Sequence, residues 1–281
     1  KWMNQHGITV WLNPLSSVLI QRLLIEKSSR PLLADLSESE LNLFVTSKLS
    51  ERISFYSQAA IELQDEVDVE QLIEKIKRIE DEGRVKEIVI FTSTDTWGEQ
   101  AEYIRTGLEF NKFWDNVNKL LSSLNRTNVT FMSTYNALSV FNYHKLIKEV
   151  YNLKDVYGSY DRYWNSAVFL DSSYLRYPQH QTVQVLPYDF SKKILEQTKL
   201  ITYYAIPVFE PKYIGFSDIE VQKLKRIYDW MISPQDAGKQ TRNRYNFYKY
   251  FSEHDRRRGT DFVKTFPELE EFYNFCGTIQ I

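Results

Sequence analysis

The sequence predicts an α/β protein: a parallel sheet of consecutive strand–helix units, followed by a helical lobe. Short β-branched runs alternate with amphipathic stretches longer than ten residues as far as Pro187. Such alternation implies βαβ units and a parallel sheet. From Asp189 onward only helical patterns remain. The chain of 281 residues, 43% hydrophobic, is long enough for one large core or a core and a smaller lobe.

The elements follow in order. Asn13-Pro14 predicts a helix start, because Asn caps and Pro suits the first helical position. A helix over Leu15–Glu26 follows, broken by Ser28-Ser29-Arg30-Pro31. Leu41 to Thr46 reads as a short buried strand. Val69, Leu72, Ile73, Ile76 and Ile79 recur at helical spacing, and Gly83 stands where a C-cap glycine belongs. Val85 to Thr92 is the clearest strand, being apolar, β-branched and short. A helix then carries Phe110, Phe113, Trp114, Val117, Leu120, Leu121 and Leu124. Asn128 to Ser133 is a strand, Asn142 to Leu153 a helix, Trp164 to Asp171 a strand, and Thr182 to Leu186 a further strand. Asp189 to Tyr204, Ser217 to Ile232 and Gln240 to Phe251 read as helices. Four strand–helix units are too few to close an eight-stranded barrel. The expected domains are 1–187 and 188–281.

Composition narrows the function classes. A net charge of −2 argues against a general nucleic-acid binder, which carries a basic excess to replace counterions. No apolar run reaches the roughly 20 residues that span a bilayer, and the start has no signal-peptide pattern, so a cytoplasmic protein is expected. The single cysteine, Cys276, excludes a disulfide framework and any multi-cysteine metal site within this sequence. The histidines, His6, His144, His180 and His254, lack metal-ligand spacing. GxGxxG, GxxxxGK[ST] and GxSxG are all missing. The chain begins with Lys1 rather than Met, which suggests a fragment.

Ligands of parallel β/α proteins bind at the C-terminal ends of strands. The residues expected there are Thr46-Ser47-Lys48, then Ser93, Asp95 and Glu99, then Thr134, Tyr135 and Asn136, then Asp171, Ser172 and Ser173. Arg105 is placed to grip a carboxylate in bidentate fashion. The plainer reading makes Glu99 and Glu102 first-turn acids and Arg105 a surface ion-pair partner. Arg176 either binds an anion or anchors its loop. The run His254 to Thr260 either contacts an anion or forms a solvated turn.

The run from Ser93 to Leu108 (STDTWGEQAEYIRTGL) resembles a segment of the twitch-domain radical S-adenosylmethionine (radical SAM) proteins of phage and marine metagenomes. Val129 to Val140, Leu175-Arg176-Tyr177-Pro178 and Asp255 to Thr260 are similar to later landmarks. The resemblance implies a partial (β/α)6 barrel, incomplete at its N-terminal side, with a helical C-terminal extension. It also implies a [4Fe-4S] cluster that reductively cleaves S-adenosyl-L-methionine, giving a radical that abstracts a substrate hydrogen. Carried over by position, Ser93 and Asp95 would hold the ribose, Arg105 the methionyl carboxylate, and Asn136 the adenosine pocket, with Glu99 and Ser47 beside them. Asp171 and Arg176 would contact substrate, a peptide being one class such enzymes take. An electron donor would reduce the cluster. The Cys-x3-Cys-x2-Cys loop is missing, so its ligands are expected upstream of Lys1. Two other readings stay open: a non-catalytic domain binding a peptide or protein through the aromatic segment Tyr245–Phe275, and a hydrolase using Asp95, Glu99 and Asp171.

Overall fold

A computed structural model describes residues 9–27, 33, 35–59, 61–64, 68–83, 85–158, 166–205 and 214–281. The chain forms two compact units, Lys1–Glu74 and Lys75–Ile281.

In the smaller unit, β1 (Val10–Asn13) pairs in parallel with β2 (Ile61–Gln64). Between them lie α1 (Ser16–Glu26) and α2 (Glu38–Tyr56). The helices close over Ile20, Leu33, Leu41 and Val45, with Leu23, Leu24, Leu36 and Leu49 packed against them. The expected strand over Leu41 to Thr46 is therefore part of α2. Ser37 and Glu40 form a reciprocal capping box that starts this helix. Leu41 and Val45, one turn apart, face inward, while Leu43 and Phe44 face solvent. Asn13 is not a helix cap. It ends β1 and donates from Nδ2 to Glu62 Oε1 at 2.7 Å, and α1 begins after Leu15 without a side-chain cap. The expected break at 28–31 lies outside the described residues.

The division between units falls within α3 (Val69–Asp81). The larger unit has a three-stranded parallel sheet in the order β3 (Ile88–Ser93), β4 (Thr127–Tyr135), β5 (Val168–Tyr174). α4 (Glu99–Ile104) and α5 (Phe110–Ser123) connect β3 to β4, and α6 (Tyr143–Tyr157) connects β4 to β5. The register places Ile88 opposite Thr127 and Val129 opposite Val168. After β5 come short 3-10 turns, then α7 (Ser191–Tyr203), α8 (Asp218–Ile232), α9 (Ala237–Arg258), α10 (Phe262–Thr265) and α11 (Glu270–Thr278).

The partial barrel is thus corrected to two open parallel sheets, one of two strands and one of three among the described residues. The strands of the larger sheet run in sequence order and its outer edges are not joined, so no barrel wall forms. The expected strand Thr182 to Leu186 is a 3-10 turn over Val183–Val185, whose two valines fill the core instead of joining a ladder. The strand expected from Trp164 is described from Val168 onward.

Side chains alternate across the sheet, as the strand period of two requires. Phe131, Tyr135, Val168 and Leu170 point into the core, which α6, α7, α8 and α9 complete with Val150, Ile194, Ile227 and Phe247. The helices after Pro187 therefore share one core with the sheet. Val89, Phe91 and Met132 lie on the opposite face, and Phe91 is 67% exposed.

Among the described residues β5 is an edge strand, and two of its outward backbone groups are capped by side chains. Lys154 Nζ of α6 donates to Val168 O at 2.7 Å. Glu220 Oε1 of α8 accepts from the Leu170 backbone N–H at 2.8 Å. The two side chains pair at 3.0 Å with almost no exposure. Glu220 is held in turn by Ser217, whose backbone N–H and hydroxyl each donate to Oε2 at 2.8 Å.

Candidate functional site

The C-terminal ends of β3, β4 and β5 form the candidate site, as parallel α/β geometry requires. The loop after β3 is fixed from below by Trp97. Its ring meets Phe110 and Trp114 edge-on, each at 4.7 Å between centroids, and Trp114 stacks on Phe131 of β4 at 5.4 Å. Gly98 then turns the chain at φ 65° and ψ −143°, a backbone region that suits glycine, and α4 starts.

This turn buries Asp95. Its Oδ1 accepts from the Thr134 backbone N–H at 2.7 Å and from Arg105 Nη2 at 3.2 Å, while Arg105 Nε lies 3.0 Å from Oδ2. Burial pushes the Asp95 carboxyl up, against the guanidinium and the Thr134 amide, which pull it down. The carboxylate that Arg105 grips is therefore this chain's own. Asn136 is nearly buried and caps the 3-10 turn that follows β4. Its Oδ1 accepts from the Leu138 N–H at 2.9 Å and its Nδ2 donates to Thr134 O at 3.0 Å. Tyr143 and Ser172 share a hydrogen bond of 2.6 Å beneath the sheet end.

Ser93 ends β3, and Asp95, Arg105 and Asn136 converge around Thr134. Glu99 is exposed in the first turn of α4. Ser47 lies on an exposed turn of α2 in the smaller unit and faces Glu51 at 3.4 Å, because its segment is helical. The run His254 to Thr260 closes α9. Asp255 accepts from Tyr103 at 2.8 Å, from Thr260 at 2.7 Å and from the Phe262 N–H at 2.8 Å, while Arg256 and Arg257 pair with Glu253.

The end of β5 differs in charge. A cavity of about 230 Å³ is lined by Ser172, Ser173, Tyr174, Arg176, Lys223 and Arg226. Lys223 of α8 pairs with Asp171. Arg176 Nη2 donates to the Tyr174 hydroxyl at 2.6 Å, and its guanidinium lies 4.9 Å from the centre of the Tyr174 ring. Three cations thus line this cavity, one of them paired with Asp171, and such a lining suits a phosphate or carboxylate ligand. Arg176 lies just past the end of β5, whereas Asp171 lies within the strand, which runs on to Tyr174. Lys223 and Arg226 escaped sequence reasoning because no motif marks them. Their spacing of three on a helix is the one available signal. Among the described residues, no group of three or more His, Cys, Asp or Glu is placed to hold a metal ion.

Fold and site together define an α/β protein with a cationic mouth at the end of a parallel sheet. The curated relatives that the chain matches are shikimate kinases. The shikimate kinase of Phocaeicola vulgatus is 36% identical over 83 residues, which are 28% of this chain and 47% of that protein. The one from Bacteroides thetaiotaomicron is 36% identical over 84 residues, 28% of this chain and 48% of that protein. The one from Azobacteroides pseudotrichonymphae is 42% identical over 59 residues, 21% of this chain and 35% of that protein. The chain spans about half the length of the first two. No family model matches the chain, and no solved structure matches it.

These relatives are enzymes, but they are named for phosphoryl transfer. They overturn the expected radical SAM activity, along with the expected S-adenosyl-L-methionine and [4Fe-4S] cofactors. Among the described residues, no helix is long and apolar enough to cross a membrane.

Proposed function

We propose that the chain is part of a kinase-type enzyme that binds a nucleotide and transfers a phosphoryl group to a small hydroxylated acid of the shikimate type. The observation that carries this reading is the 36% identity to a shikimate kinase over 83 residues. Phosphoryl transfer rests on positioning and on positive charge around the phosphates, and needs little covalent chemistry from the protein. A mouth formed by Arg176, Lys223 and Arg226 supplies such charge. The chain carries no GxxxxGK[ST] loop. Its contribution is therefore to ligand binding, and the phosphate-cradling loop of such an enzyme is not among its residues.

Saturation-transfer NMR of shikimate with the full 281-residue chain tests this reading. Saturable transfer to the ring protons of shikimate, unchanged by an equal concentration of acetate, is expected. Equal competition by acetate, or no transfer at millimolar shikimate, would overturn it.

A further inference from the structure

Of the three cations in the mouth, Arg176 alone also borders a second cavity. That cavity, of about 360 Å³, shares Arg176 with the first and is lined further by Gln179, Gln184, Trp230 and Asn243, among others. Arg176 is exposed and follows the end of β5. A long, exposed arginine has many rotamers, and ordering one costs a ligand part of its affinity. Lys223 is held by Asp171. For Arg176 a different restraint stands just upstream.

Tyr174 is the last residue of β5. It lies on the same side of the strand as Leu170 and Ser172, which are buried. Its ring is therefore rooted at the core and packs against it. The ring centre lies 5.5 Å from that of Trp230. Trp230 is fixed in turn, because its carbonyl accepts from Gln184 Nε2 and from Ser233 Oγ, each at 2.8 Å. The Tyr174 hydroxyl accepts from Arg176 Nη2 at 2.6 Å, and the guanidinium lies 4.9 Å from the ring centre. Two contacts with one anchored side chain fix both the place and the tilt of the planar guanidinium. Lys223, Arg226 and Trp230 recur along α8 at steps of three and four, the spacing of a single helix face. One helix thus presents two cations directly and orients the third through Trp230 and Tyr174.

We infer that Tyr174 is a positioning residue, which sets the Arg176 guanidinium in the mouth before an anionic ligand arrives. Without the hydroxyl, Arg176 would move between the two cavities that it borders. With it, the arginine is ordered in the free chain, and binding does not have to order it. This role rests on the reading of the mouth as the ligand-binding part of a kinase-type enzyme.

Tyr174→Phe tests the role, because the ring and its packing on Trp230 stay while the hydroxyl goes. The first readout needs no ligand. In the full chain with isotope-labelled arginine, the Nη1 and Nη2 NMR signals of Arg176 are expected to be resolved, as hindered rotation of the guanidinium requires. In Tyr174→Phe they should merge, as for a free surface arginine. Arg176→Ala assigns the signals by their loss. The second readout is calorimetric affinity for shikimate in the wild type, the two single variants and the double variant. Tyr174→Phe is expected to weaken binding about fivefold, the cost of ordering one such side chain. Once Arg176 is alanine, it should weaken binding no further. A hydroxyl with a merely structural role would lower affinity equally in both backgrounds. Unchanged Arg176 signals in Tyr174→Phe, or a double variant weakened by the product of the two single effects, would overturn the inference. A wild-type chain that binds no shikimate would count against the kinase-type reading, and the arginine signals would then decide the role of Tyr174 by themselves.

Discussion

Lys154 and Glu220 are 66 residues apart in sequence, yet they meet in the core and jointly cap the Val168 carbonyl and the Leu170 amide on the outer edge of β5. Exposed sheet edges invite pairing with other chains, and charged side chains turned inward are one way to block them. Here the lysine takes the strand's carbonyl, the glutamate takes its amide hydrogen, and each neutralises the other. Burial lowers the Lys154 pKa, while Glu220 raises it again. Removing one partner leaves the other charged and uncompensated in the core. Glu220→Ala is expected to lower unfolding free energy by about 3–5 kcal/mol, and Glu220→Gln by less, because the amide still accepts from Leu170. Urea unfolding of both variants checks the order.

The Asp95 tie gives a local prediction. Asp95→Asn keeps the shape but weakens the bonds to Arg105 and Thr134. A charge-assisted hydrogen bond is worth about 1.5–3 kcal/mol, and the partial exposure of Arg105 puts the loss near the lower end. Amide hydrogen exchange at Thr134 should accelerate in this variant. Exchange at Leu170, on the other strand, should not change.

Gly98 and Gly259 both have φ near 65°, but their ψ values differ, −143° against 26°. Gly259 sits in the left-handed region that caps α9, where alanine costs roughly 1 kcal/mol. Gly98 lies in a region that side chains disfavour more strongly. Gly98→Ala should therefore lower the melting temperature more than Gly259→Ala does, as thermal unfolding of the pair will show.

Stability should also depend on mildly acidic pH. Burial lowers the pKa of His144, His180 and His254 from the ordinary 6.5. In that window the unfolded chain binds more protons than the folded one, so stability rises with pH. The contribution is full above about 6.5 and is lost as pH falls through the folded-state values. His180 has the simplest case, since its Nε2 is buried without a hydrogen-bond partner among the described residues. Melting temperatures between pH 7.5 and 5 should fall, and His180→Phe should flatten the decline.

Much of the larger unit was legible in the sequence. The β-branched run Val85 to Thr92, seen as a strand over Ile88–Ser93, and the amphipathic spacing of Phe110, Trp114 and Leu121 each carry one dominant signal, and both gave the right element. Leu41 to Thr46 misled because a continuous apolar run fits a buried strand as well as a helix. The Ser37–Glu40 box just upstream was the deciding feature. Counting strands could not reveal that the sheets stay open, because closure depends on strand pairing between distant segments. At the sheet end, Asp95, Asn136, Asp171 and Arg176 stood out in the sequence as residues at or after the predicted strands. Lys223 and Arg226 did not, since α8 reaches the mouth through its contact with β5 and no local pattern encodes that contact.

Isothermal titration of shikimate into the full chain bears most directly on the kinase-type reading. Saturable heat at one shikimate per chain, reduced when Arg176 and Arg226 are both replaced by alanine, is the predicted result. A flat titration at millimolar shikimate, with the chain folded by circular dichroism, would contradict it.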